Sequence, residues 1–134
     1  MAGRRLRAPG RGSAQMIKVR DIVALLDAEV LSGEGKLDEE VKSVGASDMI
    51  SDILALTKPG MIVLTGYTYP QVIRTALVTD LLGLIVVRGK NIAPETIAYA
   101  RDNNFLLMRT RGYLYSSCGK IFATGLRGSD VGKE

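Results

Sequence analysis

Three short stretches carry most of the side chains that could do chemistry: Gly66-Tyr67-Thr68-Tyr69, Arg88-Gly89-Lys90 and Thr110-Arg111-Gly112-Tyr113. Each sets glycine beside hydroxyls or cations, and each follows a short apolar run. A fourth stretch, Gly45-Ala46-Ser47, ends another apolar run just ahead of a helical pattern. Hydroxyls, two or three cations and the N–H groups of a helix start together describe a pocket for an anion or a nucleotide phosphate. Tyr67 and Tyr69 could stack on a base, a contact worth roughly 1–3 kcal/mol in single-strand binding proteins. The same residues would also suit an interface, where aromatics and Arg are enriched, or a plain solvated surface. The residue types alone leave these three readings open.

Several chemistries are excluded. The chain has no histidine and one cysteine, Cys118. Ser-His and Cys-His nucleophilic systems therefore lack their base, and an internal disulfide is impossible. A zinc site would have to be built mostly from carboxylates, which is not how zinc is usually held. The three loops contain no carboxylate, so no general base is expected beside them. Asp38-Glu39-Glu40 lacks the spaced oxygen ligands of a calcium loop. Ser32-Gly33-Glu34-Gly35-Lys36 misses the phosphate-loop spacing G-x-x-x-x-G-K-[S/T] and reads as a surface turn. Cys118 reads as a buried small apolar residue on the last helix. No metal and no cofactor is expected.

The elements that must position these loops are legible as periodicity. Met61–Thr65 is a short apolar run suited to a strand covered on both faces. Pro70 opens a helix whose apolar residues Val72, Ile73, Ala76, Leu77 and Leu81 recur at helical spacing, and Gly83 ends it. Leu84–Val87 is the next strand. Parallel neighbours need a crossover of this kind, which puts the loops after both strands on the carboxyl edge, where α/β proteins usually bind ligands.

Around this unit lie a helix at Val19–Leu26, strands at Ala28–Leu31 and Val41–Ala46, and a helix with Ser47 as N-cap and Asp48 in its first turn. That helix would bury Met49, Ile50, Ile53, Leu54 and Leu56, and Lys58-Pro59-Gly60 stops it. A helix from Pro94 to about Asn103, a strand at Phe105–Met108 and a helix at Gly112–Phe122 complete the pattern, the last with Leu114, Cys118, Ile121 and Phe122 inward. The order α, β, β, α, β, α, β, α, β, α implies an α/β single domain, a mostly parallel sheet of about five strands with helices on both faces.

The 134 residues suffice for one domain with a real core. Of the 18 basic residues, Arg4, Arg5, Arg7 and Arg11 supply the whole +4 charge, leaving 14 basic against 14 acidic from Met16 onward. A neutral body argues against nucleic acid as a partner. Residues 1–15 read as a disordered basic tail, an expression remnant or the product of an upstream start codon. Residues 16–125 read as the folded domain and 126–134 as a frayed end. No apolar run reaches the roughly 20 residues of a membrane span, and the first fifteen residues do not make a secretory signal. A lone cysteine fits a reducing, cytoplasmic compartment.

In this order of elements the segment Met16–Gly125 resembles a stand-alone DRTGG domain. That module also occurs at the front of HPr kinase/phosphorylase, inside some phosphotransacetylases and in certain CBS-domain proteins. The likeness rests on the opening helix before Glu29-Val30-Leu31-Ser32-Gly33, then Leu37-Asp38-Glu39-Glu40-Val41 leading to Val44-Gly45-Ala46-Ser47-Asp48-Met49. It continues through Lys58-Pro59-Gly60 before a strand, loop and helix, and through the final strand into Thr110. The family's Asp-Arg pair falls where this chain has Gly66-Tyr67-Thr68, and its Thr-Gly-Gly where it has Arg88-Gly89-Lys90. Only Gly66 and Gly89 are retained. The kinase activity of the larger relatives resides in a separate phosphate-loop domain, so a serine-kinase label does not carry over.

The resemblance implies a non-catalytic regulatory or ligand-sensing module. It would be a homodimer that binds a nucleotide or other anionic ligand, a partner protein, or both. The alternative is a small enzyme acting on a phosphorylated metabolite, with Arg88, Lys90 and Arg111 stabilising charge. The missing general base favours the module. The candidate ligand-binding residues are Gly45, Ser47, Gly66, Tyr67, Thr68, Tyr69, Arg88, Gly89, Lys90, Thr110, Arg111 and Tyr113.

Overall fold

A computed structural model describes residues 16–130. The expected tail over residues 1–15 lies outside them, as do residues 131–134. Along the chain run α1 (Val19–Leu26), β1 (Glu29–Ser32), β2 (Ser43–Ala46), α2 (Ile50–Leu56), β3 (Met61–Thr65), α3 (Pro70–Val78), β4 (Gly83–Val86), α4 (Pro94–Asp102), β5 (Leu106–Arg109) and α5 (Leu114–Phe122), with a single 3₁₀ turn at Glu34–Lys36. The α/β order is the expected one.

The strands form one five-stranded sheet in the order β1-β5-β4-β3-β2. β2, β3, β4 and β5 run parallel, while β1 pairs antiparallel with β5 at the edge. Each parallel step moves one place in the same direction across the sheet. Right-handed crossovers therefore place α2, α3 and α4 on one face. Their side chains Ile53, Val72, Ile73, Ala76 and Ala100 pack there with Met61, Val63, Leu84, Val86 and Leu107. α1 and α5 cover the other face, where Val19, Ile22, Leu26 and Ile121 meet Ile62, Leu64, Ile85, Leu106 and Met108. The strands alternate between the two cores, so every residue of β3 and β4 is buried. No helix among the described residues is long and apolar enough to cross a membrane.

β1 reaches its edge through a close approach. Gly33 sits at φ +80°, and a Cβ there would lie 2.5 Å from the Cα of Leu106 and 2.9 Å from the carbonyl oxygen of Phe105. Only glycine fits a positive φ with backbone at that distance. At the opposite edge, residues 126–130 lie along β2 where a frayed end is expected. The Val44 N–H donates to the Arg127 carbonyl at 3.0 Å, and Lys58 Nζ donates to the Ser129 carbonyl at 3.1 Å. Arg20 donates to Asp38 at 2.7 Å and holds its carboxyl below the usual carboxylate range. Both side chains are exposed, so the pair adds little. What it adds is present near neutrality and fades only in acid, as Asp38 protonates.

Four expectations are corrected. α2 begins at Ile50, with Met49 rather than Ser47 as its N-cap, so Asp48 precedes the helix instead of lying in its first turn. Met49, Leu54 and Leu56 are exposed, because the seven-residue α2 packs chiefly beside α3 and buries Ile53. Phe122 is exposed, with Arg127 4.9 Å over its ring, and Ser117 takes an inward place on α5. Gly83 begins β4 rather than ending α3; the turn before it is made by Asp80 at φ +63°.

Gly33→Ala should lower stability by about 2–4 kcal/mol, combining overpacking against β5 with left-handed strain. Thermal or urea denaturation measures it. A change below 1 kcal/mol would mean that β1 does not dock on β5 in this way.

Candidate functional site

The parallel strands send the loops after β2, β3, β4 and β5 to one edge of the sheet. At its centre is Gly66, buried and bonded on both sides by neighbouring loops. Its N–H donates to Asp48 Oδ1 at 2.6 Å, and its carbonyl accepts from Lys90 Nζ at 2.7 Å. The Thr65 hydroxyl adds a 3.3 Å bond to the same Asp48 oxygen and accepts from the Tyr67 N–H at 3.1 Å. A Cβ on residue 66 would lie 3.3 Å from Asp48 Oδ1 and 3.6 Å from Lys90 Nζ, so glycine leaves room for both partners. No carboxylate is expected beside these loops from their composition; Asp48 supplies one. It occupies the amide that was a candidate for an external anion.

Two cavities open on this edge. The smaller, about 470 Å³, is lined by Asp48, Gly66, Tyr67, Thr68, Tyr69, Lys90 and Asn91. Tyr67 is fixed by its hydroxyl, which donates to Gln71 Oε1 at 2.6 Å, and it meets Tyr69 edge-on with centroids 5.9 Å apart. The Tyr69 ring is exposed. Thr68 is structural: its carbonyl accepts from the buried Thr96 hydroxyl at 2.8 Å and ties the loop to α4.

The larger cavity, about 580 Å³, lies across the β4–α4 loop, between β5, the end of α1 and α5. Leu26, Asp27, Glu29, Gly89, Asn91, Arg109, Thr110, Arg111, Gly112, Ser117 and Lys120 line it. Arg109 is committed internally, through Nε and Nη2 to Glu29 Oε1 at 3.1 and 2.8 Å and through Nη1 to the Lys90 carbonyl at 3.4 Å. The Thr110 hydroxyl donates to the Leu26 carbonyl at 2.8 Å and pins the last turn of α1. Arg111 and Lys120 have no hydrogen-bonding or ionic partner among the described residues. Neither has the hydroxyl of Ser117, although that side chain is only 1% exposed. Gly112 makes room for it: a Cβ there would lie 2.8 Å from Ser117 Oγ. Asp27 and Glu29 put carboxylates on the same wall, but Glu29 is already held by Arg109, so Arg111, Lys120 and the Ser117 hydroxyl leave a lining of net positive charge that suits an anion.

The expected residues are thus divided. Gly66, Tyr67, Thr68, Tyr69 and Lys90 line the smaller cavity, and Gly89, Thr110 and Arg111 the larger. Arg88 lines neither. It stands at φ +63° beside Gly89 at φ +57°, and the N–H groups of both donate at 2.8 Å to the carbonyls of Gly112 and Thr110. Tyr113 is the exposed N-cap of α5 and lines neither cavity. Ser47 accepts from the Met49 N–H at 3.0 Å and shapes the approach to α2.

Gly45 faces a third, apolar groove with Tyr115, Cys118 and Phe122. Burial pushes the Cys118 thiol up, keeping it neutral and unreactive near neutral pH. Asp48, expected only in a first helical turn, and Asn91, Ser117 and Lys120 are not among the expected site residues. Ser117 and Lys120 were detectable in principle, as residues one helical turn apart on the helix that follows Arg111. Among the described residues no group of His, Cys, Asp or Glu is placed to hold a metal.

A family model described as "DRTGG domain" matches residues 21–121. No curated protein matches the chain. Among solved structures, it is similar to the CBS and DRTGG domains of the regulatory region of Clostridium perfringens pyrophosphatase, complexed with the activator diadenosine tetraphosphate. The TM-score is 0.66 at 21% identity, over 81% of this chain and 47% of that one. The likeness shows a shared fold, and the present chain spans about half the length of its relative.

Asp48→Ala should cost about 1–3 kcal/mol by leaving the buried Gly66 N–H without an acceptor. Asp48→Asn, which keeps an oxygen there, should cost less. Denaturation of the two variants checks this, and equal losses would place the effect in charge rather than in the hydrogen bond.

Proposed function

The chain belongs to the DRTGG domain family, and from that premise we propose that it is a non-catalytic regulatory module that senses a small phosphate-bearing ligand. The observation that carries this reading is the cavity holding Arg111, Lys120 and the unpartnered Ser117 hydroxyl. Its cations are not consumed internally, whereas Arg109 is tied to Glu29. Binding without turnover is favoured by the chemistry around Ser117: a serine nucleophile needs a hydrogen-bonded base, and Ser117 has none among the described residues. The relative's regulatory region, crystallised with a dinucleoside polyphosphate, supports a phosphate-bearing effector.

In this reading the module acts as a homodimer and passes ligand binding to a partner. Leu54 and Leu56 on α2, and Leu77 and Val78 on α3, are exposed on neighbouring helices. Such an apolar strip suits isologous contact about a twofold axis.

Titration calorimetry with inorganic pyrophosphate should give saturable binding. Arg111→Ala should weaken it by about 1.5–3 kcal/mol, the range for hydrogen bonds to charged groups. The unliganded melting temperature should hardly move, because Arg111 is exposed. Binding unaffected by that change, or no binding at millimolar pyrophosphate, would contradict the reading. Sedimentation should give a dimer at tens of micromolar, and a clean monomer there would remove the homodimer.

A further inference from the structure

The two cavities of the carboxyl edge share a wall. Asn91 lines both, and its neighbours divide between them, Gly89 facing the larger and Lys90 the smaller. Their chemistries differ in kind. The larger offers the unpartnered cations Arg111 and Lys120 and a hydroxyl, alongside Asp27 and a Glu29 already held by Arg109. The smaller offers an exposed aromatic face and a carboxylate whose two internal bonds both fall on Oδ1, so that Oδ2 remains an open acceptor.

Tyr69 meets Tyr67 at an interplanar angle of 82°, and Tyr67 is itself anchored to Gln71, so the contact orients the exposed Tyr69 ring. A planar heterocycle laid on that face would meet Asp48, an acceptor only, and acceptors select a partner that donates N–H.

We infer that the ligand is a nucleotide with an amino-bearing base, its phosphates in the Arg111–Lys120 cavity and its base in the Asp48–Tyr69 cleft, with the Asn91 loop between them. The inference rests on the phosphate-sensing reading above and adds the class of ligand and its direction of binding. Stacking on Tyr69 supplies sequence-tolerant affinity. Asp48 supplies selectivity, because its free Oδ2 accepts from an exocyclic amine and repels a carbonyl oxygen. Asp48 thus does two jobs with two oxygens: Oδ1 holds Gly66 and Oδ2 reads the base.

The test measures dissociation constants of the full chain for pyrophosphate, ADP and IDP, whose bases differ in carrying an amine or a carbonyl at the same position. ADP should bind at least tenfold more tightly than pyrophosphate and about tenfold more tightly than IDP. Tyr69→Ala should remove most of the difference between ADP and pyrophosphate. Asp48→Asn keeps an oxygen for Gly66 but can present an N–H donor in place of Oδ2, so it should reverse the preference toward IDP. A purely structural role for Asp48 would weaken both nucleotides alike. Pyrophosphate and ADP bound equally would overturn the base cleft while leaving the phosphate cavity standing. ADP bound tightly but indifferent to Arg111→Ala would overturn the phosphate cavity and the assigned direction together.

Discussion

The carboxyl edge depends on the two-sided bonding of Gly66. A buried peptide group must find partners, and here both come from side chains on other loops: Asp48 after β2 for the N–H, Lys90 after β4 for the carbonyl. Bonds to ionised groups are shorter and stronger than neutral ones. Three consecutive loops are thereby fastened at one point, and none can shift without leaving a buried polar group unpaired. A Cβ on residue 66 would come within 3.3 Å of the carboxylate that caps it, so glycine gives this bond its room.

That clamp also decides which groups of the edge stay open. With the Gly66 amide already occupied by a carboxylate, an anion is turned away from the centre of the edge. The Arg88 and Gly89 amides are likewise engaged by the β5–α5 loop, which fixes the tight turn after β4. What stays open lies to either side. The cations Arg111 and Lys120 stand over one cavity and the Tyr69 face over the other. The loop after β4 lies between them, with Asn91 lining both cavities.

Much of this was legible in the chain. Met61–Thr65 is the observed β3 without adjustment, because a strand buried on both faces leaves an uninterrupted apolar run. Pro70 and Pro94 mark the first turns of α3 and α4 as their fixed φ requires. Convergence of the loops on one edge follows from the alternation of strands and helices. The clamp was not legible, since Asp48 beside Ser47 looks locally like helix-capping chemistry. Its engagement with Gly66, 18 residues away, is set by strand pairing. The exposure of Leu54 and Leu56 was hidden for a related reason. Periodicity finds the apolar stripe of α2 but not how much sheet lies beneath it. The direction of β1 was equally hidden, because its antiparallel pairing with β5 is a contact between strands far apart in the chain.

The most direct test of the account is amide chemical-shift mapping of the full chain during titration with ADP. Perturbations should gather on the carboxyl edge, at Gly89, Asn91 and Gly112 on the phosphate side and at Tyr67 and Tyr69 on the base side, with α2 and the far edge unmoved. Perturbations centred on the apolar groove beside Cys118, or on the exposed strip of α2 and α3, would contradict it.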